Sequence, residues 1–237
     1  MFTYKGKNSH DMGLQIDGNL EFSSPCRDVN LVSVAGRNGD LVMDNGRFEA
    51  ITKTINCRLK TTDESVEQLT NRIHNWLLTD VGYHDFLWSG DPEFTYRAMV
   101  ENGVRTQRVL SKLARIALKF RIHPIKYLTT GLTEQRITSG AIINNPFNLA
   151  AKPIIRVVGT GTLDFTIGSK QFSLRDIAHG ITVDSESMTV SSFNSEDMEF
   201  DKLFGTFPVL EHGDNSIIFN DSGNFEVFIT SRLGALV

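Results

Sequence analysis

The chain has few of the residues and motifs on which enzymatic or metal chemistry depends. Its 237 residues include only 2 cysteines and 6 histidines. Cys26 and Cys57 form no CxxC pair that would suggest zinc, and the scattered histidines lack the HExxH spacing of a metalloprotease. There is also no GxSxG segment and no recognisable setting for a catalytic cysteine. We therefore expect no enzyme, no metal site and no bound cofactor.

Long apolar runs are missing as well. No segment approaches the roughly 20 apolar residues that cross a bilayer. The N-terminal stretch MFTYKGKNSHDMG has no apolar segment of the kind found in signal peptides. We expect that the protein does not insert into a membrane and that it folds in a cytoplasm. There the two cysteines are expected to be buried thiols and not a disulfide.

The composition that remains is that of a soluble protein rich in β structure. Hydrophobic residues make up 40% of the chain and charged residues 22%, both ordinary values. The many Gly, Phe, Val, Ile and Thr residues favour strands. One segment, residues 63–78, carries a single apolar stripe at helical spacing and predicts the one helix, with Thr61 and Glu64 as a capping box. The stripe consists of Val66, Leu69, Ile73, Trp76 and Leu77.

Two domains are predicted, 1–130 and 137–237. Residues 1–130 carry 17 Lys and Arg against 15 Asp and Glu, whereas residues 131–237 carry 7 against 13. The polar stretch TTGLTEQRITSG, where this balance changes sign, is the predicted linker. Beyond it, short alternating runs spaced about ten residues apart predict an antiparallel β-sandwich. The predicted fold class is mainly β: an N-terminal β-sandwich with one helix and a long β-hairpin, then an antiparallel sandwich.

A basic series lies in the first half of the chain. We interpret it as the solvated side of strands, with Leu110, Leu113, Ile116, Leu118, Phe120 and Ile122 supplying the core, rather than as a sequence-specific nucleic-acid site. The series consists of Arg105, Arg108, Lys112, Arg115, Lys119, Arg121 and Lys126.

A carboxylate cluster lies in SSFNSEDMEFDKLFG. Glu196, Asp197, Glu199 and Asp201 are spaced closely enough for acid–base work in a glycoside hydrolase. The same alternation with Met, Phe and Lys is typical of the solvent side of a strand, which we favour.

The segment PCRDVNLVSVAGRNGDLVMDNGRFEAI predicts a long hairpin. Gly36, Gly39 and Asn45–Gly46 supply turn positions, while the legs carry apolar residues. A hairpin of this length is not stable alone in water, so it must join a sheet of its own domain or of a neighbouring subunit. We predict that it forms a subunit interface through Arg37, Asp40, Leu41, Val42, Met43, Asp44 and Arg47.

Four features in this order resemble the distal tail protein family of siphophages. They are the long hairpin, the single helix ESVEQLTNRIHNWLLT, the strand ending FRIHPIKY, and FGTFPVLEHGDNSIIF near the C-terminus. The resemblance covers nearly the whole chain. It implies an N-terminal domain related to the tail-tube fold that assembles into a six-fold ring, and a galectin-like C-terminal sandwich outside that ring.

The function implied by the resemblance is structural. The homohexameric ring would connect the major tail protein of the tube to the tail-associated tip protein, with an open lumen for DNA. It would also serve as a hub for receptor-binding or baseplate proteins. The expected location is the virion, at the distal end of the tail, after assembly in the host cytoplasm. The alternative is a carbohydrate-binding adhesin that recognises cell-wall glycans through the C-terminal sandwich.

Overall fold

The computed structural model of the chain describes residues 1–18, 20–61, 64–101, 103–110, 112–193, 198–220 and 225–237. Its contacts divide it into two compact units, residues 1–126 with 236–237 and residues 127–235. The predicted linker, residues 129–140, contains a short 3-10 helix at Thr129–Leu132 and a strand at Gln135–Ile137. Whether the predicted domains 1–130 and 137–237 fold independently stays a prediction.

The described residues of the first unit form strands β1 to β10 and one helix. In chain order these are β1 (Phe2–Tyr4), β2 (Lys7–Asn8), β3 (Leu14–Ile16), β4 (Arg27–Val32), β5 (Leu41–Phe48), β6 (Ile51–Lys60), α1 (Val66–Leu78), β7 (His84–Trp88), β8 (Phe94–Val100), β9 (Arg105–Leu110) and β10 (Leu113–Ile122). Strand β11 (Ile125–Leu128) follows.

Its main sheet is antiparallel and follows the order β2-β1-β7-β8-β10-β6-β3, with β9 also pairing β10. The longest ladder joins β6 and β10 from Leu113 opposite Lys60 to Ile122 opposite Ile51. Side chains of β10 alternate between the core and the outer face, as its sequence predicts. Ile116, Leu118, Phe120 and Ile122 are buried as predicted, whereas Leu110 is exposed.

Helix α1 packs on this core through the predicted stripe, all five residues of which are buried. The predicted start of the helix was wrong, because the capping box is formed by Ser65 and Gln68 instead of Thr61 and Glu64. The Ser65 hydroxyl accepts from the Gln68 N–H at 3.1 Å, and the Gln68 side chain accepts from the Ser65 N–H at 3.0 Å. Position 63, the predicted first residue, lies outside the described residues.

The second unit is a sandwich of two antiparallel sheets. Its strands are β12 (Gln135–Ile137), β13 (Ala141–Asn145), β14 (Ile154–Gly159), β15 (Gly161–Ile167), β16 (Lys170–Ile177), β17 (Gly180–Asp184), β18 (Thr189–Ser192), β19 (Leu203–Gly205), β20 (Gly213–Phe219) and β21 (Phe225–Thr230). One sheet has the order β12-β21-β14-β17-β18 and the other β13-β20-β15-β16-β19. The inward faces of both sheets form one apolar core, in which the rings of Phe165 and Phe172 stack 4.8 Å apart. Strand β22 (Gly234–Leu236) belongs to neither of these sheets and pairs with β11. A short 3-10 helix spans Phe200–Lys202.

The predicted fold class is confirmed: the chain is mainly β, with one α-helix, a long hairpin and an antiparallel sandwich in its second half. The described part of the chain contains no helix that is both long and apolar enough to span a bilayer.

Candidate assembly surface

Strands β4 and β5 form a hairpin that stands apart from the main sheet. They pair only with each other, as a separate two-stranded sheet. Among the described residues, the apolar core of the first unit includes none between Phe22 and Ile51. An isolated two-stranded hairpin is marginally stable at best in water, so this element lacks the partner that such hairpins normally require.

The register shows how the hairpin is built. Val32 pairs with Leu41 and Val29 with Asp44, but Arg27 pairs with Phe48, so β5 carries extra residues near its end. Gly46 lies in this irregularity with φ +73°, a left-handed conformation that glycine adopts without strain. Asn45–Gly46, predicted as a turn, is therefore a bulge within β5. The turn itself is residues 33–40, where Gly36 and Gly39 also have positive φ.

Ion pairs across the strands fix the half of the hairpin nearest the domain. The Arg27 guanidinium donates to both oxygens of Asp44, with Nε 3.0 Å from Oδ1, and also lies 4.8 Å from the centre of the Phe48 ring. Arg47 Nε donates to Asp28 Oδ2 at 2.6 Å. These contacts hold the two strands in one register.

The same contacts lower the pKa of both carboxyl groups. The pKa of Asp28 is below its ordinary value because Asn45 and then Arg47 donate hydrogen bonds to the carboxylate. The pKa of Asp44 is lowered by hydrogen bonds from Arg27 and from the backbone N–H of Gly46. Both groups are therefore charged, and paired, at neutral pH.

The half of the hairpin farthest from the domain is apolar on both faces. Residues directly opposite each other in the register point to the same side. One face, which we call the Leu31 face, carries Val29, Leu31 and Val42, with Asp44 at its inner end opposite Val29. The other, the Met43 face, carries Val32, Leu41 and Met43, with Asn30 opposite Met43. With Val34 in the turn, these seven apolar side chains are between 36% and 61% exposed. A single flat contact would cover only one of the two faces.

Each predicted interface residue lies on this hairpin and is exposed. Leu41, Val42 and Met43 form part of the apolar surface. Asp44 and Arg47 do not offer free charges to a partner, because Arg27 and Asp28 already pair with them. Their interface role stays a prediction.

The remaining two predicted interface residues, Arg37 and Asp40, lie in the turn. In the part of the chain that the structure describes, neither has an ion-pair partner, so they are the charged groups left available to another molecule.

Sequence analysis missed the contribution of β4. Val29, Leu31 and Val32 are as exposed as their partners on β5. The sequence did contain a signal for this contribution, because β4 is apolar at successive positions and does not alternate between an apolar and a polar face. Such a strand is typical of burial on both sides.

A concave surface lies elsewhere on the first unit. A cavity of about 410 Å³ is lined by Met1, by β3 and the residues that flank it, and by the end of β7 with the turn that follows. Met1, Ile16 and Trp88 are partly exposed there, above the buried Leu14 and Leu20. Ser9, His10 and Gln15 supply its polar lining.

The basic series is mostly paired along the outer face of the main sheet. Lys119 and Arg121 both contact Glu101, at 2.5 and 3.5 Å. Arg108 contacts Glu67 at 2.9 Å. These residues belong to the solvated side of strands, as predicted from their alternation with the core. The Arg105 side chain lies outside the described part of the structure.

The carboxylate cluster of the sequence lies only partly within the described residues. Glu196 and Asp197 lie outside the described residues, and Glu199 forms an ion pair with Lys202 at 2.8 Å. Within the described ranges, no three or more His, Cys, Asp or Glu side chains are grouped as metal ligands would be. Cys57 is buried and Cys26 is exposed, and the two form no disulfide.

Neither a protein-family model nor a curated protein matches the chain in sequence. In structure it is similar to the Dit protein (gp 19.1) of phage SPP1, whose crystal structure is presented as a paradigm of the hub adsorption apparatus in phages that infect Gram-positive bacteria. The TM-score is 0.66 with 16% sequence identity, and the match covers 96% of each chain. The chain therefore has a Dit-like fold over nearly its whole length.

Proposed function

We propose that the chain is a structural component of a siphophage tail tip, a ring-forming hub that joins the tail tube to the tail-associated tip protein. The Dit-like fold supports the class of protein. The observation that supports assembly concerns the β4–β5 hairpin. It has exposed apolar side chains on both faces, and within the described chain it pairs with no other strand.

The hairpin has enough apolar surface to drive association. Fully burying a Val, Leu or Met side chain is worth about 1.5–3 kcal/mol, and these seven are roughly half exposed. Covering them contributes on the order of 7 kcal/mol per hairpin, before the entropic cost of association. A surface of this kind on a soluble monomer would be an aggregation hazard, so we expect another molecule to cover it.

A contact between one copy's hairpin and a different surface of the next copy is a head-to-tail contact. Contacts of this type close into a ring when the rotation between copies permits. In the proposed function the ring is homohexameric and its lumen lets DNA pass. Its faces meet the major tail protein and the tip protein, and its galectin-like outer domains receive receptor-binding or baseplate proteins. The location is the distal end of the tail in the virion, after assembly in the host cytoplasm.

Native mass spectrometry and negative-stain microscopy of the purified chain test this proposal. We expect hexamers with a central opening. A chain that stays monomeric at every concentration accessible to both methods would refute the ring.

A second candidate, glycan binding by the sandwich, has one observation in its favour. Phe193, Phe200 and Phe204 are exposed on the second unit, and the Arg175 guanidinium lies 4.1 Å from the Phe204 ring centre. Exposed rings can stack on sugars. Glycan-array binding by the intact chain that is lost on Phe204→Ala would favour this function over a purely structural one.

A further inference from the structure

The first unit carries two features that suit each other and that do not meet within one chain. One is the apolar half of the β4–β5 hairpin. The other is the cavity around Ile16 and Trp88, which has partly exposed apolar side chains and no occupant among the described residues. We propose, on the basis of the proposed ring, that the hairpin of one copy docks into this cavity of the next copy.

Size favours the pairing. A cavity of about 150 Å³ holds one benzene, so the cavity of about 410 Å³ holds roughly two or three side chains of Val, Leu or Met size. Each face of the hairpin presents three such side chains. One face can therefore enter the cavity while the other lies against the surrounding surface.

The chemistry of the lining favours it too. A second cavity, about 740 Å³ in volume, is lined by the charged Asp17 and Arg115 together with Asn56, Thr106 and Gln107. That lining suits a polar partner. The lining around Ile16 and Trp88 has no Asp, Glu, Lys or Arg side chain. It combines apolar side chains with uncharged polar ones and with the Met1 ammonium, which donates to Ser89 Oγ at 3.2 Å. A strand with apolar side chains and free backbone groups suits such a lining.

Charge points to a second copy instead of a strongly charged partner. Residues 27–48 contain three arginines and three aspartates and are neutral overall. Arg37 is left unpaired in the turn, and Asp11 and Glu21 are exposed next to the lining residues His10 and Leu20. In the proposed docking, Arg37 pairs with one of these carboxylates.

The segment between cavity and hairpin is anchored. Phe22 stacks on Tyr96 at 5.0 Å and meets Trp88 edge-on at 5.4 Å. This contact fixes the chain between Leu20, which lines the cavity, and Cys26, where the hairpin begins. With its base held there, the hairpin extends into solvent instead of folding back into its own cavity, and it is available to the cavity of another copy.

Cysteine cross-linking tests the docking. Val42→Cys on the Leu31 face and Gln15→Cys in the cavity are combined in a Cys26→Ser background, where the remaining Cys57 is buried. Both positions are exposed in the single chain, so the variant should fold normally. A short bismaleimide is added to the assembled protein. The control combines Val42→Cys with Ile142→Cys, an exposed position of the second unit.

We expect a ladder of covalent multimers up to the ring size for the 42/15 pair, and little or none for the control pair. Intact hexamers in native mass spectrometry without a ladder, or an equal ladder in the control, would overturn the docking and leave the proposed function standing. An unsubstituted chain that forms no oligomer would overturn the proposed function itself, and this inference with it.

Discussion

Replacing Val42 by lysine should abolish assembly while leaving each copy folded. Val42 lies opposite Leu31 on β5 and is 60% exposed. In the free chain, a lysine at this position reaches water directly. Surface substitutions of this kind usually change the free energy of unfolding by no more than about 0.5 kcal/mol.

The assembled protein should respond very differently. If Val42 is covered by another copy, the substitution removes about 1 kcal/mol of apolar burial and places an unpaired charge in the contact. An uncompensated buried charge costs about 3–5 kcal/mol. Since each 1.4 kcal/mol is a factor of about ten, every contact should weaken by at least roughly 10²- to 10³-fold.

The assay combines two measurements on the same samples. Sedimentation velocity over a concentration series reports the oligomer, and urea unfolding of the dissociated chain reports its stability. Ile142→Lys is a matched control, because Ile142 is 65% exposed on the second unit. If Val42→Lys assembles at the same concentrations as the unsubstituted chain, the hairpin is an ordinary surface element and the argument fails.

Three further results are expected. Trp76→Ala should lower the free energy of unfolding by about 3–5 kcal/mol, because the ring is only 5% exposed; a loss below about 1 kcal/mol in urea unfolding would contradict this packing. Asp28 and Asp44 have lowered pKa values, so their stabilisation is present above their ordinary pKa of about 4 and is lost as the pH falls through their folded values. Amide exchange in the hairpin should accelerate in that acidic window, and equal protection there would contradict the pairing. Cys26 should react with a thiol reagent in the native chain and Cys57 only after unfolding, because burial raises the pKa of the Cys57 thiol to about 12; two rapidly labelled thiols would contradict that burial.

The helix and the long strands could be predicted because their signals are local. The apolar stripe of α1 repeats at helical spacing, and β10 alternates at the spacing of a strand. The first turn of the helix could not be fixed in the same way. The segment TTDESVEQ contains two overlapping capping patterns. The one from Ser65 to Gln68 caps the helix, whereas in the other the Glu64 N–H donates to Thr61 Oγ1 at 3.3 Å ahead of the helix.

The hairpin shows which structural features cannot be predicted from local sequence patterns. Its turn glycines, Gly36 and Gly39, were predictable from composition, but Asn45–Gly46 carries the same signal and forms a bulge. Turn and bulge both need a residue that tolerates positive φ, so the residue type alone does not separate them. Whether the strands joined the main sheet depended on long-range pairing, which no local pattern encodes.

The ion pairs of the hairpin were still harder to predict from the sequence. Asp44 and Arg47 suggest contacts to another copy when viewed along the sequence. In the structure their partners are Arg27 and Asp28, residues 17 and 19 positions away in the chain. Only the register of the two strands brings these groups together, and the bulge at Gly46 shifts that register.

This division of charged and apolar residues links folding to assembly. The ion pairs lie where the hairpin joins the domain, and the apolar faces lie beyond them, so one half of the hairpin holds the other half in shape. A contact surface that is ordered before binding loses less conformational entropy when it docks. The core of the first unit, built around residues such as Trp76 and Phe120, includes no part of the hairpin among the described residues. In the proposed ring, the core of each copy can therefore fold before its hairpin meets the next copy, so we expect assembly to depend on concentration and folding of the core not to.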